Sequence, residues 1–301
     1  MYDDMKNYIL VRFSGGSGGE RISSIAAYYL DQEYQFTSNS HNRFTFNDLF
    51  NTTFQIEAPS YTLINKCNIP DTYWYNMDAE MISRVVELFK QKNPSRLIGK
   101  THFHFDKNLD YSVAFKGFKL LDLRPQLDKL WIINALQLYK TACNIETTNL
   151  THSGTNVKDF QHIITEHFNM HGWWPEYWMW YGPVSWEEFI DRVCLDMSSE
   201  LEHSTIINTP DILLESANMA TDLNLSWADD FCKFIGISKL IPEHCVEMVE
   251  WVTGNLKILD RLGMLDKIHE NLTAAEQIQL LKSTFIPIYS DIMYEKFNIR
   301  I

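Results

Sequence analysis

The chain has 301 residues, 45% of them hydrophobic and 14% aromatic, and its 26 Lys and Arg against 39 Asp and Glu give a formal charge of −13. That is enough for one large α/β domain or two small ones, with ample apolar material for a core. The acidity argues against nucleic acid or an anionic membrane surface as the main partner, although backbone donors and a few basic side chains can still hold a small phosphorylated molecule.

Residues 8 to 13 (Tyr8-Ile9-Leu10-Val11-Arg12-Phe13) are mostly apolar and β-prone, which predicts a buried strand. Ser14, Gly15, Gly16, Ser17, Gly18 and Gly19 follow, and then Glu20 and Arg21 open a stretch to Leu30 with Ile22, Ile25, Ala26 and Tyr29 at helical spacing. A small-residue loop between strand and helix exposes N–H groups at a helix N-terminus, where those donors and the helix dipole stabilise an anion. Glycines let the backbone approach a phosphate without a Cβ clash. The loop is not a Walker A motif, because no Lys-Ser/Thr pair closes it, and its glycines miss the GxGxxG spacing.

Residues 31 to 60 read as loop, and Tyr61-Thr62-Leu63-Ile64 as a short strand. A helix is expected from Ala79 to Lys92, with Asp78 as its N-cap and Met81, Ile82, Val85, Val86 and Phe89 as its core stripe. Residues 96 to 102 read as a strand reaching a loop, and Leu130-Trp131-Ile132-Ile133 as a further buried strand before a helix at 135 to 143. Helices are expected at 157 to 170, 186 to 201, 227 to 236, 242 to 254 and 274 to 297, and Thr205-Ile206-Ile207-Asn208 as a last strand. Strands alternating with helices predict a parallel sheet flanked by helices, with ligands at the carboxyl ends of its strands. His102 follows a strand and suits a general base near neutral pH. Lys100, two residues earlier on the same side of an extended segment, suits charge stabilisation.

The strand–loop–helix unit and Lys100-Thr101-His102 together resemble the PAPS-dependent sulfotransferase family, cytosolic type with small-molecule acceptors. Leu120-Leu121, Lys129 to Ile133, Phe234-Ile235-Gly236-Ile237, and Arg261-Leu262-Gly263 with Asn271-Leu272-Thr273 are similar to later pieces of that family in the same order. The resemblance implies a single sulfotransferase-like domain over residues 1–301 with a P-loop NTPase-like fold. It implies PAPS as co-substrate and PAP as product, with His102 as base and Lys100 beside it. The loop residues Ser14 to Arg21 would hold the 5′-phosphosulfate, and Asn134, Arg261 and Gly263 would serve the rest of the nucleotide. Two departures stand out. Gly16 occupies the place of the family's loop lysine, so that Arg12, Arg21 or Lys100 alone would take its part. The family's Arg and Ser for the 3′-phosphate fall near Asn134-Ala135 and Cys143, with Lys140 a further candidate.

Trp173, Trp174, Trp178 and Trp180 lie in an aromatic block beside Glu176, Glu187 and Glu188 that suits a cationic or flat heteroaromatic acceptor, and the expectation is a specialised metabolite. Clustered tryptophans more often serve core or lid packing than a binding box. No metal-ligand spacing is present in the sequence. Five scattered cysteines without CxxC fit a reducing compartment. An acidic N-terminus and no apolar run of spanning length lead to the expectation of a cytoplasmic monomer or homodimer, with neither membrane nor nucleic acid as partner. The alternatives are a P-loop-like kinase and a nucleotide-binding protein of the same fold without turnover.

Overall fold

The computed structural model describes residues 7–14, 16–30, 68–69, 79–92, 96–102, 110–147, 185–207, 209–298 and 300. The chain divides into two compact units, Met1–Gln126 with Ser199–Gly254 (unit 1) and Leu127–Ser198 with Asn255–Ile301 (unit 2).

Unit 1 is an α/β layer built on β1 (Asn7–Phe13), β2 (Asn68–Ile69), β3 (Arg96–His102), β4 (Lys119–Arg124) and β5 (Ile212–Glu215). All neighbours pair in parallel, in the order β2-β3-β1-β4-β5. β1 is central, and Tyr8 to Phe13 are all buried without alternation, an apolar run interrupted by Arg12 alone. Its helices are α1 (Gly19–Leu30), α2 (Ala79–Lys92) and the short α3 (Tyr111–Ala114), with α6 (Ser216–Thr221) and α7 (Ala228–Ile235) after β5. Residues 22 to 27 of α1 are all buried, Ser23 and Ser24 included.

The described residues of unit 2 are largely helical, carrying α4 (Leu130–Thr147) and α9 (Ala274–Phe297). Two long helices belong to both units: α5 (Trp186–Ile207) and α8 (Pro242–Arg261). The core of unit 2 collects Trp131, Leu138, Phe189, Ile190, Phe285 and Tyr289, and the Trp186 and Tyr289 rings stack with centroids 4.4 Å apart.

Two expected strands are helical. Leu130 to Ile133 form the first turn of α4, where all four are buried. A helix surrounded by core on every side loses its amphipathic period, so a short apolar run of this kind does not distinguish strand from helix. Thr205, Ile206 and Ile207 are the last turn of α5, and the edge strand β5 comes five residues later. The expected strand at 61–64 and helix at 157–170 lie outside the described residues. No helix among the described residues is long and apolar enough to cross a membrane.

Candidate functional site

β1 is left toward the β2–β3 side of the sheet and β4 toward β5, so the topological switch point falls between β1 and β4. In parallel α/β sheets a crevice opens there, beyond the carboxyl ends of the strands. The Ser/Gly loop leaves β1 at this point. Ser17 donates to the Ser14 carbonyl through both its backbone N–H (3.1 Å) and its Oγ (2.6 Å), and the N–H groups of Arg21 and Ile22 return to the Gly18 carbonyl as α1 begins. The N–H groups of Gly16, Gly18 and Gly19 make no backbone bond of this kind among the described residues. Ser14 is wholly buried, and its Oγ has no hydrogen-bond partner there. A buried hydroxyl left unsatisfied is costly and marks a place where a partner belongs.

Two glycines of the loop are required by the packing. A Cβ on Gly19 would stand 2.0 Å from Phe13 Cγ, so only glycine lets the first turn of α1 settle on that ring. Gly18 has φ +85°, and a Cβ there would meet Trp251 Cη2 at 3.1 Å. Trp251 belongs to α8. Its ring also faces Arg21, whose Cζ lies 5.2 Å from the ring centroid and whose Nη1 donates to Glu247 Oε1 at 2.7 Å. Burial lowers the Arg21 pKa and raises that of Glu247, each opposed by the other's charge.

The strands on either side of β1 set ionisable residues in register with its last residues. On β3, Lys100 pairs with Val11 and His102 with Phe13, so the register sets His102 one residue before the loop on the adjacent strand. On β4, Asp122 pairs with Arg12. Arg12 grips that carboxylate in a bidentate fashion, Nε to Oδ1 at 2.7 Å and Nη2 to Oδ2 at 2.9 Å, and Arg124 Nε reaches Oδ2 at 2.9 Å with a second bond from its Nη2. Arg12 and Asp122 are 1% and 0% exposed, whereas the Arg124 side chain keeps 15%. Burial pushes the Asp122 carboxyl pKa up against the pull of the two guanidiniums. The β1–β4 register ends at the pair Phe13 and Leu123, and Ser14 and Arg124 are the residues that follow on each strand. Arg124 was not singled out from the sequence. The usable signal was one Arg in an otherwise apolar strand (Ile9 to Phe13) and one Asp in another (Leu120 to Leu123), two opposite charges that neither strand can bury alone.

Gly15 and Trp173, Trp174, Trp178 and Trp180 lie outside the described residues. Glu20 is in the first turn of α1. Asn134 does not follow a strand; it sits in the core of unit 2, and its amide donates to Cys194 Sγ at 3.7 Å, the thiol being pushed up to about 12 by burial. Arg261 ends α8 in unit 2 and donates to Tyr139 Oη at 3.3 Å, and Gly263 is the left-handed residue that stops the helix. Among the described residues no group of three or more His, Cys, Asp and Glu is placed to hold a metal ion. Compared with known proteins, the chain matches no family model, no curated protein and no solved structure.

Proposed function

We propose that the chain is a PAPS-dependent sulfotransferase, which moves a sulfonate from PAPS to a hydroxyl or amine of a small-molecule acceptor and releases PAP. The observation that carries this reading is the β1–β3 pairing, which sets the end of the Lys100-Thr101-His102 segment beside the start of the Ser/Gly loop. In this reading the loop N–H groups, the N-terminus of α1 and the Ser14 hydroxyl hold the phosphosulfate, and Lys100 and Arg124 offset its charge. His102 takes the acceptor proton as the acceptor atom bonds to sulfur and the bond from sulfur to the phosphate oxygen breaks. A β1-centred parallel sheet with its loop at the switch point supports a P-loop-like sulfotransferase fold. The cytoplasm as compartment and a cationic or flat heteroaromatic acceptor belong to the same proposal, the acceptor class resting on the acidity and the Trp173–Trp180 block.

The second reading is a nucleotide-binding protein of this fold without turnover, favoured by glycine at position 16 in place of a loop lysine. Calorimetry with adenosine 3′,5′-bisphosphate followed by an acceptor screen separates the two. Binding with turnover of at least one acceptor supports the enzyme, binding without turnover supports the second reading, and no binding sinks both. In the enzyme, His102→Ala lowers kcat by roughly 10²–10⁴-fold while the bisphosphate affinity stays near that of the parent.

A further inference from the structure

Arg21 stands in the first turn of α1, where a cation opposes the partial positive charge of the helix end. Two residues one turn apart on α8 keep it there. Glu247 accepts from Nη1, and Trp251 presents its ring to the guanidinium. The same ring lies against Gly18, so α8 grips the loop backbone and the arginine together. We propose that Arg21 is a further side-chain cation, beside Lys100 and Arg124, for the anion taken by the loop from Ser14 to Gly19, and that Glu247 and Trp251 are the positioning pair that aims it.

Three observations converge on this. Arg12, the other arginine adjoining the loop, is buried and committed bidentately to Asp122. The Arg21 side chain hydrogen-bonds among the described residues to Glu247 through Nη1 alone, and a guanidinium has five N–H donors, which leaves donors for an anion's oxygens. The buried Ser14 hydroxyl without a partner, at the base of the same loop, independently marks the place of a ligand. The inference rests on the loop being an anion site, which is one part of the function proposed above.

The test measures binding of pyrophosphate and, separately, of adenosine 3′,5′-bisphosphate by calorimetry, with thermal unfolding of every variant. Arg21→Gln should weaken both ligands about tenfold or more, the scale of a lost hydrogen bond to a charged group. Glu247→Gln should weaken them less, with Arg21 still present but no longer aimed. The exchange Arg21→Glu with Glu247→Arg keeps an ion pair, so it should recover the unfolding temperature that either single change loses while leaving binding weak. Arg21→Lys, which keeps the pair to Glu247, covers the case in which Arg21→Gln fails to fold, and it should bind more weakly than the parent for want of a planar fork. Arg21→Gln binding both ligands as tightly as the parent overturns the proposal and leaves the sulfotransferase reading standing, as does the exchange restoring binding along with stability. Arg21-dependent binding of pyrophosphate with none of the bisphosphate keeps the proposal and removes that reading. A parent that binds neither ligand removes both, and a Glu247→Gln variant indistinguishable from the parent removes the positioning pair.

Discussion

The two units bury polar side chains in different ways. In unit 2 the buried polar residues of the described chain are neutral: Asn134, Gln137, Thr141, Asn255 and Gln277. Gln277 shows their use. Its Oε1 accepts from the Trp131 N–H at the start of α4 (2.8 Å), and its Nε2 donates to the carbonyls of Leu127 and Leu272 (both 2.8 Å), tying three segments at one point. In unit 1 the buried set includes a charged pair, Arg12 and Asp122, with Arg124 bonded to the same carboxylate and the unsatisfied Ser14 hydroxyl two residues after Arg12. Burying charge is expensive, and replacing a buried ion pair by apolar groups is often neutral or stabilising. Polar burial in unit 2 therefore joins elements, whereas in unit 1 it concentrates charge at the strand ends where a ligand is expected.

The largest effect should come from breaking that charge. Asp122→Ala leaves two guanidiniums without their common carboxylate and should cost about 3–5 kcal/mol in urea unfolding. Arg12→Met combined with Asp122→Leu removes the buried pair and should cost clearly less than Asp122→Ala alone. If the single change costs under ~1 kcal/mol, the network does not carry the contrast drawn here.

A second test in unit 1 uses pH. His244 on α8 is buried, its Nδ1 lies 3.2 Å from Tyr29 Oη, and the Tyr28 ring meets it edge-on at 4.7 Å. Burial lowers its pKa from 6.5 to about 4, with the nearby Glu243 charge acting the other way. A depressed folded-state value means that the unfolded chain holds the extra proton between those two pH values, so stability is full above about 6.5 and falls as the pH drops toward 4. The contribution approaches about 1.4 kcal/mol per pH unit at its steepest. His244→Asn should flatten that part of the unfolding profile, and an unchanged slope would put the acid sensitivity elsewhere. In unit 2, Gln277→Leu strands one N–H and two carbonyls and should cost roughly 1–3 kcal/mol, with no dependence on pH over the same range.

What the sequence made legible follows this division. α2 and α9 run over the residues expected of them, because amphipathic spacing is local information, and α9 also begins with a capping box at Thr273 and Glu276. The β1–loop–α1 unit was legible for the same reason. β4 was hidden because Lys119, Asp122 and Arg124 break its apolar pattern, and the partner that lets Asp122 be buried is 110 residues away on β1. Glu247 and Trp251 were invisible as site residues on the same grounds, since the Arg21–Glu247 bond spans 226 residues. Local structure also accounts for two of the family-like fragments. Gly236 and Gly263 both have positive φ, with Ile237 N–H returning to Cys232 O and Met264 N–H to Leu259 O, the 6→1 bonds of helix-stopping turns. Phe234-Ile235-Gly236-Ile237 and Arg261-Leu262-Gly263 are thus what any helix ending in this way tends to write, and the weight of the resemblance stays with the Ser/Gly loop and Lys100-Thr101-His102.

The finest contrast is between two glycines. Gly19 belongs to the site, and the 2.0 Å approach of its missing Cβ to Phe13 predicts that Gly19→Ala forces the ring or the first turn of α1 to move, at about 1–3 kcal/mol. Gly254 lies inside α8, where an added Cβ meets nothing within 4 Å. Nothing described there requires a glycine, and in a helix interior alanine loses less backbone freedom on folding. Gly254→Ala should therefore stabilise by about 0.5–1 kcal/mol, read as a raised urea midpoint with an unchanged slope. Because Gly254 sits three residues after Trp251 on the same helix, the variant also asks whether firming α8 reaches the loop. If α8 grips the loop as a rigid arm, Gly254→Ala should leave pyrophosphate affinity equal to or above that of the parent. A gain in stability with a loss of affinity would mean that the arm has to bend for the anion to enter.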